Sequence, residues 1–100
     1  MTLDLPEKYK AELMPILRRF APTHEVLAFG SRIEGKNHAG SDLDIALRDP
    51  AQPDQRLEQM GALREAICDS NIPILVDAHD WASLPASFRE GIERNYVLLT

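Results

Sequence analysis

Two hydrophobic rhythms run along this chain, one at helical spacing and one of short apolar runs. Leu13, Ile16, Leu17 and Phe20 recur at helical spacing and predict a first helix over residues 6–20. Asp4 stands where it could cap that helix, Pro6 suits its first turn, and Pro15 predicts a kink. Ala21-Pro22-Thr23 ends it. Residues 25–29 are a short apolar run and predict a buried strand, followed at Gly30 by a short helix over 31–34 and a polar loop over 35–40. Residues 43–47 predict a second strand, and 49–53 a turn-rich link. A second long helix is expected over 53–69, with Leu57, Met60, Leu63, Ala66 and Ile67 inward. Residues 74–77 predict a third strand, 80–85 a connector, and 85–95 a last helix contacting the core through Phe88 and Ile92. Residues 96–99 predict an edge strand or a packed tail.

The resulting order is helix, strand, short helix, strand, helix, strand, helix. It describes a small α/β (α+β) domain, in which helices cover a mixed sheet of three to four strands. The chain has 100 residues, so the expectation is one domain over 1–100. Apolar content of 44% and charged content of 27% are ordinary for a globular protein. A single core fits this length, but a separate substrate domain does not.

Charge narrows the partners. The formal net charge is −5, and Arg18-Arg19 is the densest basic spot. Long nucleic acids are bound through basic clusters, so direct nucleic-acid binding is not expected. Cys68 is the single cysteine, which rules out an intrachain disulfide and reads as an inert, half-buried thiol. No charged-then-apolar leader opens the sequence, and no apolar run approaches a membrane span. The expectation is a cytoplasmic protein with no membrane contact.

The chemistry concentrates in two neighbouring stretches, Gly30-Ser31-Arg32-Ile33-Glu34-Gly35 and Ser41-Asp42-Leu43-Asp44-Ile45-Ala46-Leu47. Spacing of i and i+2 on a strand puts Asp42 and Asp44 on one face and sends Leu43, Ile45 and Leu47 to the other. Two carboxylates at ~4 Å in an effective dielectric near 20 repel by about 4 kcal/mol. Either one stays protonated or a cation lies between them. Aspartate is a poor strand residue, so two in one short apolar strand call for a reason. Beside them, the turn at Gly30 and Ser31 suits phosphate: glycine lets backbone approach closely, and free N–H groups open the helix. Ser31 offers a hydroxyl, and Arg32 a charge-assisted hydrogen bond. Mg²⁺ takes a few carboxylates, waters and phosphate oxygens, which fits the acid pair. Asp77 ends the third apolar run, beside the acid-bearing strand, where it could share a metal and draw a proton from an attacking hydroxyl. Asp80 reads as structural.

Together these residues resemble the minimal nucleotidyltransferases of the DNA polymerase β superfamily. The resemblance rests on Gly-Ser-Arg-x-x-Gly, Ser-Asp-Leu-Asp-Ile-Ala-Leu, Val76-Asp77 and a C-terminal stretch from Asp80 to Arg89. It implies a polymerase-β-like core, with Gly30, Ser31 and Arg32 on the nucleotide phosphates. It implies Asp42, Asp44 and Asp77 as metal-holding catalytic acids, with two Mg²⁺ ions and ATP as the substrate. The implied reaction moves AMP from ATP to a hydroxyl, and many such proteins are antitoxins paired with a HEPN-type toxin. A tyrosine of a cognate HEPN toxin is then the expected acceptor, in a hetero-oligomer. The alternative is a non-catalytic antitoxin that neutralises its partner by binding. One position departs from the family pattern: many relatives carry a second arginine in the turn where this chain has Glu34.

Other chemically capable residues read as structural. His24, His38 and His79 lack metal-ligand spacing with one another. His38 lies in the polar loop near the expected phosphates, and His79 reads as a partly buried linker histidine. Trp81 is expected to pack against the last helix. Tyr9 and Tyr96 carry no signal of self-modification, and Glu58, Arg64 and Glu65 read as a solvated helix face.

Overall fold

The computed structural model describes residues 3–36 and 40–99. Its elements are α1 (Glu7–Phe20), β1 (Glu25–Phe29), α2 (Ser31–Glu34), β2 (Leu43–Arg48), α3 (Met60–Cys68), β3 (Val76–Asp80), a 3₁₀ turn at Trp81–Ser83, α4 (Ala86–Arg94) and β4 (Val97–Leu98). The strands form one sheet in the order β3-β2-β1-β4. Antiparallel pairing joins β1 to both β2 and β4, while β2 and β3 run parallel. The parallel pair follows from the α3 crossover, since parallel neighbours need a long connection, usually a helix. This is the expected mixed, helix-covered sheet.

Strand alternation gives the sheet two different faces. Leu43, Ile45 and Leu47 of β2 point to one side together with Val26, Ala28 and Ala78, against Leu13 and Leu17 of α1 and Leu63 and Ile67 of α3. The three β2 residues have no exposed surface. Burying each such side chain is worth about 1.5–3 kcal/mol, so this layer dominates stability. The opposite face is thinner. There Leu27 and Ala46 meet Trp81 and Ile92. Trp81 is 3% exposed and lies under the guanidinium groups of Arg48 and Arg89, at 4.9 and 5.6 Å from the ring centroid. It packs as expected, against α4 and the sheet.

Several elements depart from the sequence expectation, each for a local reason. The expected helix over 53–69 begins only at Met60. Ahead of it, Asp49 Oδ1 accepts the Ala51 and Gln52 N–H groups, and the Leu57 N–H donates to Asp80 Oδ2. Side-chain acceptors thus replace helical carbonyls in a stretch that also holds Pro50 and Pro53. The third strand is Val76–Asp80 rather than 74–77, and Leu75 remains 64% exposed. Asp4 does not cap α1: the N-cap is Pro6, with no side-chain hydrogen bond. The helix continues through Pro15, which is exposed. Ile92 is the buried α4 contact with the core, as expected, while Phe88 stays 44% exposed and packs edge to face on Phe29. Cys68 is exposed rather than half-buried. Part of the loop over 35–40, including His38, lies outside the described residues.

Candidate active site

One end of the sheet collects the chemistry. The C-terminal end of β1 and the N-terminal ends of β2 and β3 meet there. Phe29 pairs with Asp44, and Asp44 pairs with Asp77. Directly paired residues share a face, so both acids stand on the thinly covered side of the sheet. Two residue pairs further along, and on the same face, Ala46 pairs with His79. His79 Nε2 lies 3.2 Å from Asp77 Oδ2. Ligand atoms of Asp44, Asp77 and His79 all fall within 4.8 Å of one another. Asp42 is exposed and immediately precedes β2, outside that trio.

The Asp44 carboxyl is raised above the ordinary aspartate range. Burial is the main cause; the negative charges of Asp77 and Asp42 add to it, and His79 opposes it. Its charged form is therefore under-compensated by its protein neighbours. A hard divalent cation matches the paired carboxylate oxygens and relieves the same repulsion, whereas the His79 imidazole is a softer donor than such an ion prefers. The residues fit a metal, with Asp44 and Asp77 at its centre.

Gly30 has two reasons to be glycine. Its φ of 85° and ψ of −156° lie in a region essentially reserved for glycine. A Cβ placed there would also stand 2.5 Å from Asp44 Oδ2. The turn thus presses its bare backbone against the acid, and Ser31 follows as the first residue of α2. The expectations for Gly30, Asp44 and Asp77 meet in one place.

Arg32 does not join them. It is 2% exposed, its Nε donates to the Ser41 carbonyl at 3.0 Å, and its Nη1 donates to the Asp4 carbonyl at 2.8 Å. The Asp4 N–H returns a bond to the Arg32 carbonyl. Expected as a phosphate ligand, Arg32 instead ties the N-terminal segment and the approach to Asp42 onto α2. Its charge is spent on backbone carbonyls because α2 turns its side chain inward. Asp80 is likewise structural: it is buried and accepts the N–H groups of Leu57 and Ala82.

His79 is the residue the sequence reading passed over. It belongs to β3, not to a linker, and its signal was the Asp77-x-His79 spacing of a strand face. Arg64 was also under-read. Its Nε and Nη2 donate to the Ala78 carbonyl at 3.2 and 2.9 Å, pinning the edge strand between Asp77 and His79.

A four-stranded sheet with a glycine turn against paired acids defines a nucleotidyltransferase-like domain. Comparison with solved structures agrees with the fold. A crystal structure of a toxin–antitoxin with AMP-PNP matches at a TM-score of 0.71 and 21% identity, over 91% of this chain and 72% of the other. No family model matches the sequence. A curated relative, the probable protein adenylyltransferase MntA of Haemophilus influenzae, is 37% identical over 97 residues, which cover 97% of this chain and 83% of the relative. The chain belongs to the MntA-type minimal nucleotidyltransferases, a family of protein adenylyltransferases.

Proposed function

We propose that this chain is a single domain over 1–100 that transfers AMP from ATP to a hydroxyl in a Mg²⁺-dependent reaction. The acceptor we assign is a tyrosine of a cognate HEPN-type toxin, whose modification makes the chain a cytoplasmic antitoxin. The observation that carries this reading is Asp44 and Asp77 paired across β2 and β3, with the Gly30 backbone against Asp44. The protein-adenylyltransferase name of the relative and the AMP-PNP of the structural neighbour support the nucleotide.

Asp44 and Asp77, with Asp42 beside them, would hold the metal, and the sequence resemblance implies two ions. When bound, Mg²⁺ supplies positive charge to the phosphate oxygens and favours loss of the acceptor proton. The chain's own groups do the rest. Gly30 admits the phosphates close to its backbone, and Ser31 donates its hydroxyl to a phosphate oxygen. Asp77 is half exposed, with 53% of its side chain accessible, and takes the proton of the incoming hydroxyl. The acceptor oxygen forms a bond to the α-phosphorus, the bond from that phosphorus to the bridging oxygen breaks, and pyrophosphate leaves. With Arg32 committed to backbone carbonyls, compensation of phosphate charge falls to the metal.

The test is incubation with labelled ATP, Mg²⁺ and the product of the neighbouring gene. AMP is expected on a tyrosine of the partner. Asp77→Ala should slow transfer by roughly 10²–10⁴-fold, the usual worth of a positioned acid or base. Transfer at the wild-type rate by Asp42→Ala or Asp44→Ala would remove those acids from the site. Glu34 favours the second reading, neutralisation by contact alone, because it puts a negative charge on α2 beside the glycine turn.

A further inference from the structure

A cavity of about 300 Å³ lies between the end of β1, α2 and α4. Gly30 lines it and also touches the Asp44 side of the turn, so the cavity is continuous with the candidate site. Its volume is at the small end for ligand pockets, room for one planar ring system and not for a whole nucleotide. Phe29 and Phe88 form an aromatic wall, their rings edge to face at 5.9 Å and 87°. Ile92 and the bare backbone of Gly91 complete the apolar lining. Phe88 keeps 44% of its surface exposed, although α4 has a core-facing side at Ile92.

Three polar side chains line this cavity, Glu34, Ser87 and Asn95; the Ser87 hydroxyl can donate or accept, while the other two offer mainly acceptors. Asn95 Nδ2 donates to Glu34 Oε1 at 3.3 Å, which directs the Asn95 donor to Glu34 and leaves the amide oxygen as an acceptor. The Glu34 carboxylate retains further lone pairs; its other oxygen is 3.8 Å from the highly exposed Lys36 ammonium. Among the described residues that line it, none is a lysine or arginine. An apolar slot with an acceptor-rich rim, whose nearby Lys36 ammonium is already paired with Glu34, suits phosphate poorly. It fits a flat ring that presents N–H donors.

We propose that this cavity holds the base of the nucleotide donor and that Glu34 accepts a hydrogen bond from the exocyclic amino group of that base. The inference rests on the nucleotidyltransferase reading above. It gives Glu34 a use: in place of a further phosphate-binding charge, the position reads the amine, while Phe29 and Phe88 contact the ring faces and edges. A base showing only carbonyls at that edge would meet the carboxylate acceptor to acceptor and be rejected.

The test is calorimetric titration of the full chain, in Mg²⁺, with ATP and with purine riboside 5′-triphosphate, which differs only in lacking the amino group. Wild type should prefer ATP by roughly tenfold, the worth of a hydrogen bond to a charged acceptor. Glu34→Ala should collapse that preference, and Phe88→Ala should weaken both ligands together. Both variants alter exposed residues and should fold. Equal affinity of wild type for the two triphosphates, or a preference that survives Glu34→Ala, overturns the base pocket and leaves the transferase reading standing. Binding of neither triphosphate to wild type overturns the transferase reading, and the pocket with it.

Discussion

At the scale of single residues, the account turns on Asp44. Its carboxyl is raised by burial first, then by Asp77 and Asp42, against the opposing effect of His79. A folded-state value above the unfolded one means that the folded protein holds this proton more tightly. Ionising Asp44 therefore lowers stability as pH rises through its raised value, and the penalty disappears on acidification below the ordinary aspartate range. In the metal-free protein, Asp44→Asn should raise the melting temperature at neutral pH and flatten this part of the pH dependence. Mg²⁺ should raise the wild-type melting temperature but not that of Asp44→Asn, and its affinity should fall as pH drops through the raised Asp44 value. Thermal unfolding in chelator and in Mg²⁺ over mildly acidic to neutral pH measures all three. Unaltered melting on adding Mg²⁺ at neutral pH would contradict the metal site. Asp44 and Asp77 were legible in the sequence because acids inside or ending apolar runs break the strand rule. Arg32 was not, since an arginine's destination depends on which way a four-residue helix faces. Here it faces the Ser41 and Asp4 carbonyls. Arg32→Met should leave those acceptors unmet and cost about 2–4 kcal/mol, read by denaturant unfolding. A loss of catalytic activity with stability unchanged would instead return Arg32 to the phosphates.

At the scale of elements, the site depends on how strand ends and one turn align. The Gly30 turn has no freedom to accept a side chain. Gly30→Ala should combine about 1–3 kcal/mol of backbone strain with displacement of the Asp44 carboxylate. Metal affinity and transfer should both fall by more than the stability loss alone accounts for; wild-type Mg²⁺ affinity in a folded Gly30→Ala protein would contradict this packing. Alternation in β2 placed its buried face and its acid face correctly, because a period of two leaves little choice once Leu43, Ile45 and Leu47 are buried. The third strand was less legible. Ile74 and Leu75 look like strand, yet Leu75 is exposed, and the assigned strand continues to Asp80. That shift carried His79 from a supposed linker onto the acid face. The missing half of the expected helix over 53–69 has a similar origin. Apolar spacing there is helical, but the Leu57 N–H is bonded to Asp80, a residue distant in sequence and adjacent only in the fold.

At the scale of the whole molecule, the sheet is asymmetric. One face is sealed by α1 and α3, while α4 and the 3₁₀ turn cover only part of the other and leave the acids at its rim. This asymmetry gives a small chain both a core and an open reaction face. Among the described residues, no helix is long and apolar enough to cross a membrane. The acids, the glycine turn and the proposed base cavity lie on one side, and in the proposed reaction the acceptor hydroxyl is the partner's. The central claim is that the chain acts on its partner by transfer and not by contact alone. Intact-mass measurement of the partner, after incubation with ATP, Mg²⁺ and either wild type or Asp44→Ala, tests it most directly. The account predicts added AMP on the partner with wild type, none with Asp44→Ala, and loss of neutralisation in parallel. An unmodified partner neutralised equally well by both proteins would contradict it and establish binding alone as the function.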